Sequence, residues 1–258
     1  MLRGVTLADA GIDAVALKPA EVDVGAARDL AVDTVTIDYE GHEHLPDPET
    51  LSALAEEKDV RLTTPVRADG FDPLGDQRRV ADLPDRVGRV LVAGHDAYLT
   101  SEEAERAVAP RLRRAVDTAT DPWVGTEGIE RLALAVGGTQ FELLSRATTG
   151  NLRALRAAGF DGTIAVYAPT ALTDEEDEIL DAVGDYAARR GPVRSALPDD
   201  ASTNATARGR AREVLTQAVR DYALVGDPGT VTDRVDQLRD AGADTVVGYP
   251  ARGIETVR

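Results

Sequence analysis

The chain has no cysteine among its 258 residues, and that absence removes several chemistries at once. Disulfides, a thiolate nucleophile, and zinc or iron–sulfur centres held by cysteine are all excluded. Lysine is nearly missing too: it occurs only at Lys18 and Lys58, and every other basic side chain is arginine. Histidine appears three times, at His42, His44 and His95. No apolar run approaches the roughly 20 residues that a membrane-crossing helix requires. The opening "MLRGVTLADAG" has one arginine and no sustained apolar stretch, unlike a secretory signal. A soluble, cytoplasmic protein is expected.

What is abundant is acid. The formal net charge is -17 and the sequence pI is about 4.6. A surface rich in carboxylate and poor in lysine resembles that of proteins from salt-loving archaea, where carboxylates hold water and salt screens their mutual repulsion. The acidity is therefore assigned to environment rather than to a site for cations. It also argues against nucleic acid, whose phosphates would be repelled and for which no basic stripe exists. The basic segment "RLRR", with Arg111, Arg113 and Arg114, falls in a predicted helix and reads as a solvated face.

Short β-branched runs alternate with helical stretches along the chain. Strands are predicted at Asp13 to Pro19, Asp33 to Glu40, Val60 to Val66, Gly88 to Gly94, within "RLALAVGG" ending at Gly138, at Gly162 to Pro169, in "ALVGDP", and at Asp244 to Pro250. Helices are predicted between them, with Pro48 placed for a first turn, and with Pro110 expected to kink or divide the helix that contains it. Gly191 to Gly209 has the composition of a loop, and the stretch after the third strand reads as a second irregular connection. About eight strands separated by helices imply right-handed crossovers and a parallel sheet, and their near-continuous apolar character implies cover on both faces. The expected fold is a closed (β/α)8 barrel of TIM type, one domain over residues 1–258. A doubly wound open sheet is the alternative.

In such a barrel the chemistry sits where the strands end on their C-terminal side. After the fifth predicted strand come Gly137, Gly138 and Thr139. Two glycines followed by a helix would let backbone N–H groups and a helix dipole face a phosphate. The same residues also read as an ordinary helix start, with Thr139 and Glu142 forming a capping box. Asp227 and Pro228 read as the cap and first residue of a helix. After the last strand, Gly248, Tyr249 and Arg252 stand where a phosphate or a planar ring would bind, although a surface ion pair would equally occupy Arg252. After the second strand, His42 and His44 lie beside Asp38 and Glu40, and His95 follows the fourth strand. His42, His44 and His95 together suggest a metal-dependent hydrolase as one alternative. His95 is more attractive as a general acid or substrate contact, with Glu40 as a further proton carrier. Lys18, after the first strand, is placed to meet an anion.

The segment "ALVGDPGTVTDRVDQLRDAGADTVVGYPARG", Ala223 to Gly253, resembles the end of luciferase-like flavin-dependent proteins. Its helix opens on a Val-Gly-x-Pro turn, closes on an Ala-Gly-acidic turn, and is followed by a last strand. "LALAVGGTQFELLSRA" and "AAGFDGTIAVYAP" are similar to that family's strand–Gly-Gly–helix segment and to the turn before a later strand. The closest likeness is to the archaeal branch containing methylenetetrahydromethanopterin reductase, and it covers roughly residues 122 to 253, about half of the chain. The resemblance implies a (β/α)8 barrel, shortened relative to the family, and FMN or the deazaflavin coenzyme F420 as cofactor. It places Gly137, Gly138 and Thr139 near the cofactor phosphate, and Gly248, Tyr249 and Arg252 near the cofactor or substrate mouth. The implied activity is hydride transfer between that cofactor and a small substrate. A barrel that has lost catalysis is the alternative, and a homodimer is compatible with either.

Overall fold

The computed structural model describes residues 6–66, 83–93, 105, 107–126 and 134–257. Nine strands are present among them: β1 (Ala14–Leu17), β2 (Thr34–Ile37), β3 (Asp59–Pro65), β4 (Gly88–Ala93), β5 (Trp123–Thr126), β6 (Thr139–Leu143), β7 (Ile164–Leu172), β8 (Leu224–Gly226) and β9 (Thr245–Pro250). The sheet runs β6-β5-β4-β3-β2-β1-β9-β7-β8, and β6 also pairs with β7. Eight strands therefore close into a parallel (β/α)8 barrel, and the short β8 adds to the C-terminal part of β7, pairing Thr170 with Leu224. The helices are α1 (Pro48–Ala55), α2 (Val108–Thr118), α3 (Thr148–Ala157), α4 (Glu176–Ala188), α5 (Gly191–Ala196), α6 (Gly209–Tyr222) and α7 (Pro228–Ala241). No helix among the described residues is long and apolar enough to cross a membrane.

By internal contacts the chain divides into two compact units, one of residues 14–142 with 161–165 and the other of residues 1–13, 143–160 and 166–258. In the first unit, β1 buries all four of its residues, as expected for a strand covered on both faces. Helix α1 starts where Asp47 accepts the Thr50 N–H at 2.9 Å, with Pro48 at the first helical position. Helix α2 lays Leu112 and Ala115 on Leu91, Ala93 and Val124. Pro110 falls in the first turn of α2, where its missing N–H would have no intrahelical partner anyway, so no kink results. At the N-terminal ends of these strands Arg61 is held on three sides. Its Nε donates to Asp59 Oδ2 at 2.9 Å, its Nη1 donates to the Asp121 carbonyl at 2.8 Å, and its guanidinium lies 4.7 Å from the Trp123 ring centroid. Lys58, on the same side of the sheet, donates to the Leu30 and Val32 carbonyls at 2.8 and 2.7 Å.

In the second unit, α4, α5 and α6 build a core of their own around Leu180, Val183, Val193 and Leu215. Gly184 permits the closest approach there, since a Cβ would stand 2.0 Å from the Thr203 carbonyl oxygen. The stretch Gly191 to Gly209, expected as loop, instead opens with α5, because Pro192 sits where a first turn accepts it, and continues irregularly to α6. Two turns of the form Ala-Gly-x-Asp precede strands, and each is gripped by an arginine from a helix of the same unit. Arg239 of α7 donates to the Gly11 carbonyl at 2.6 Å and to Asp13 at 2.7 Å, while Asp13 also accepts the Val246 N–H at 2.8 Å. Arg156 of α3 donates to the Gly242 carbonyl at 2.7 Å and to Asp244 at 2.6 Å. A planar fork can take a carbonyl and a carboxylate together, which a lysine cannot do as well.

The fifth predicted strand is corrected. Leu134, Ala135 and Val136 of "LALAVGG" form a helical turn, and the strands in this region are β5 and β6. Leucine and alanine dominate the apolar run, with Val136 its single β-branched residue, whereas "TQFEL" alternates about a central phenylalanine. The irregular stretch expected after β3 lies largely outside the described residues.

Arg61 supports the N-terminal rim of the first unit, and its loss would leave Asp59, the Asp121 carbonyl and the Trp123 face without their cation. Arg61→Ala is expected to lower stability by about 2 kcal/mol, read as a shifted urea midpoint at unchanged slope. An unchanged midpoint would show that the contacts are dispensable.

Candidate active site at the ends of β1, β2 and β3

The pairing register places the site. Leu17, Ile37 and Leu62 are aligned across β1, β2 and β3. One residue further on, Lys18, Asp38 and Thr63 come level with one another. Side chains alternate along a strand. Leu91 and Ala93 face α2, so Val90 points the other way, and Thr63 is aligned with Val90. Thr63, Asp38 and Lys18 thus share the sheet face turned away from the helices, at the C-terminal ends where barrel enzymes carry their chemistry.

Asp38 is the centre of this group. Its backbone N–H donates to the Leu17 carbonyl at 2.8 Å, which fixes where the side chain starts. Thr63 Oγ1 donates to Asp38 Oδ1 across a long 3.5 Å contact. The Asp38 carboxyl is crowded by protein atoms, and burial pushes its pKa up from 3.8 to about 7. The Lys18 ammonium opposes that rise, the Glu40 carboxylate adds to it, the Thr63 hydrogen bond opposes it, and Glu21 adds to it. Lys18 also pairs with Glu21 at 3.4 Å. A carboxyl group that is half protonated near neutrality can accept a proton and return it, which an ordinary surface aspartate cannot do.

Glu40, expected as a proton carrier, is exposed, and its Oε2 accepts the Ala20 N–H at 3.0 Å. That bond ties the loop after β2 to the loop after β1. Glu40 thus holds the rim, and its negative charge disfavours ionisation of Asp38. His95 lies outside the described residues. His44 is exposed, with Nε2 3.8 Å from Glu43 Oε1, and His42 begins the same short 3-10 turn. Among the described residues no cluster of three histidine, aspartate or glutamate side chains is placed to hold a metal ion.

The residues expected around a cofactor phosphate have other positions. Thr139 begins β6 instead of a helix, so no helix N-terminus faces outward there and the capping box with Glu142 does not form. Gly137 and Gly138 precede that strand and so lie at its N-terminal end, away from the C-terminal rim. Gly138 has φ +84, and a Cβ would stand 2.5 Å from the Pro122 carbonyl oxygen, while the Thr139 N–H donates to that same oxygen at 3.2 Å. The glycine serves a close backbone crossing between β5 and β6. Gly248 is packed within β9, where a Cβ would meet Ile12 and Thr170 at 3.1 Å. Tyr249 follows it, half-buried. Arg252 pairs with Glu178 Oε2 at 2.9 Å. Asp227 is the predicted cap, accepting the Gly229 and Thr230 N–H groups at 2.9 and 3.2 Å; its hydrogen bonds to Thr230 and Gly229 hold its pKa below the ordinary value. These described positions therefore do not fit a phosphate cradle: the helix is absent, protein fills the space at Gly138 and Gly248, Gly137 lies at the N-terminal end of β6, and the Arg252 cation is matched by a carboxylate. A cavity of about 420 Å³ opens toward the N-terminal ends of β3 and β4, lined by Asp59, Arg61, Arg86 and Arg89.

The architecture defines a (β/α)8 barrel with a carboxyl-centred group at the C-terminal rim of its strands. The chain belongs to the family of unknown function DUF7388, which it matches over residues 7–257. No curated protein sequence matches it. Among solved structures, an F420-dependent secondary alcohol dehydrogenase in complex with an F420–acetone adduct is similar to it, with a TM-score of 0.57 at 13% sequence identity, covering 96% of this chain and 99% of that one. The likeness is one of fold.

Asp38 has a raised pKa, so the folded protein binds a proton that the unfolded chain has released between pH 3.8 and about 7. Its ionisation therefore opposes folding increasingly as pH rises through that window, and there is no such penalty below it. Asp38→Asn is expected to melt with the wild type near pH 4 and progressively above it toward pH 8. Parallel melting curves at all pH values would contradict the assignment. Glu40→Gln, which removes a charge that raises Asp38, is expected to lower the Asp38 titration midpoint in carboxyl-carbon NMR.

Proposed function

We propose that the protein is a barrel oxidoreductase acting on a small substrate that carries a hydroxyl or carbonyl group, with Asp38 as the residue that takes up and returns its proton. The observation that carries this reading is the Asp38 carboxyl, set at the C-terminal rim beside Lys18 and Thr63 and poised near neutrality. The fold shared with a secondary alcohol dehydrogenase supports the reaction class. Interconverting an alcohol and a carbonyl moves a proton at oxygen, and that proton is what these residues are equipped to handle. In the direction of oxidation, ionised Asp38 accepts the hydroxyl proton, and Lys18 stabilises the negative charge developing at the substrate oxygen. In reduction, protonated Asp38 donates to that oxygen. Thr63 orients the carboxyl through its hydrogen bond.

FMN or coenzyme F420 would supply the hydride chemistry in such an enzyme. The described residues expected to hold its phosphate do not fit that group, so the reading assigns them no part in binding it. This misfit favours one second reading, a barrel that has kept the fold and lost the cofactor.

The two are separated by titrating the purified protein with F420 and with FMN while following cofactor fluorescence and the thermal midpoint. Binding of either, together with alcohol-dependent bleaching of the oxidised cofactor or ketone-dependent recovery of the reduced one, at a rate that Asp38→Asn reduces by about 100-fold or more at neutral pH, is the expected result. Absence of binding and of thermal protection by both cofactors would overturn the oxidoreductase reading and leave the non-catalytic barrel.

A further inference from the structure

Thr36 lies on β2 two residues before Asp38 and is 1% exposed. Its hydroxyl has no hydrogen-bond partner among the described residues. Other buried strand threonines differ from it. Thr64 donates to the Leu62 carbonyl at 3.1 Å and Thr170 donates to the Ala168 carbonyl at 3.2 Å, each within its own strand. Thr63 donates to Asp38. A buried hydroxyl left without a partner is unfavourable, and native structures satisfy nearly all such groups with protein or with ordered water.

The surroundings of Thr36 say what can satisfy it. Residues i and i+2 of a strand point to the same face and stand roughly 6.6 Å apart along it. Thr36 and Asp38 are therefore stacked on the face turned away from the helices. Two hydrogen bonds in series through one water reach at most about 5.5 Å between their end atoms, so a single water bridges the pair when the Thr36 hydroxyl and the Asp38 carboxyl lean toward each other within that backbone spacing. The register puts Ala16 on one side of Thr36 and Arg61 on the other. Ala16 has no atoms beyond Cβ to fill the space. The Arg61 guanidinium is committed to Asp59, Asp121 and the Trp123 ring. A water with two polar partners meets the lower bound for a stable buried site.

We propose that Thr36 and Asp38 hold one buried water between them, which accepts the Thr36 O–H and donates to the Asp38 carboxylate. Thr36 is then a positioning residue: through the water it fixes the orientation of the Asp38 carboxyl and favours its ionised form. This deepens the acid–base reading above and rests on it. It also gives the substrate side a specificity element, since an oxygen of a bound substrate could displace the water only by replacing both of its bonds.

The test uses Thr36→Val and Thr36→Ser in the full chain, with melting and Asp38 titration by carboxyl-carbon NMR. Valine keeps the shape and removes the hydroxyl. A hydroxyl that holds a water is expected to be missed, with the midpoint falling by about 2–4 °C and the Asp38 titration moving upward. Serine restores the hydroxyl and is expected to restore the titration. A valine variant that melts at or above the wild type, or that leaves Asp38 unmoved, overturns the proposal. Failure of the acid–base reading shows separately, as a wild-type Asp38 that titrates near its ordinary value.

Discussion

The carboxyl-centred group at the C-terminal rim depends on the parallel register of three adjacent strands. Alignment of Leu17, Ile37 and Leu62 brings Lys18, Asp38 and Thr63 level on one face. A slip of one residue in any of the three would turn that strand's rim side chain toward the helices and dismantle the group. The register is specified strongly because the opposite face is packed: β1 is buried throughout and β3 is buried at all residues but its first. The core thus does more than stabilise the barrel. It places a carboxyl group where water is scarce enough to keep it half protonated and where one ammonium stands near enough to stop it going further.

The barrel is legible in the sequence because alternation of β-branched runs with amphipathic stretches is a global pattern that local errors do not destroy. The strands at Ala14, Thr34, Asp59, Gly88, Leu224 and Thr245 and the caps at Asp47 and Asp227 all follow from local chemistry. The region around Gly137 misleads because three signals coincide there. An apolar run looks like a strand, two glycines look like a cradle, and Thr139 with Glu142 imitates a helix start. The structure resolves them through a long-range contact, the approach of Gly138 to the Pro122 carbonyl, which no local window contains. Asp38 illustrates the opposite case. An aspartate directly after "VTI" is visible as a rim residue, but its raised pKa arises first from burial, against the opposing Lys18 ammonium and Thr63 hydroxyl, and can be read only once the chain is folded.

Scarcity of lysine makes the two that remain informative. Lys58 spends its ammonium on the Leu30 and Val32 carbonyls and belongs to the scaffold. Lys18 faces Asp38 and Glu21 at the rim. Arginine carries the other cationic duties, and at the strand-entry turns it grips carbonyl and carboxylate together, as Arg61, Arg156 and Arg239 do. Arg252 likewise finds a carboxylate, in Glu178, and this is why a position suited to phosphate by residue type is not suited to it by environment.

The grip of Arg239 on Gly11 and Asp13 joins residues separated by 228 and 226 positions in the chain. Closing so long a loop is entropically costly and slow, which favours late formation of this contact. The β1 turn then waits, unpinned, for α7. During that wait the first strand has a partner in β2 but an open edge on its other side. Until that edge is covered it can pair with a second chain.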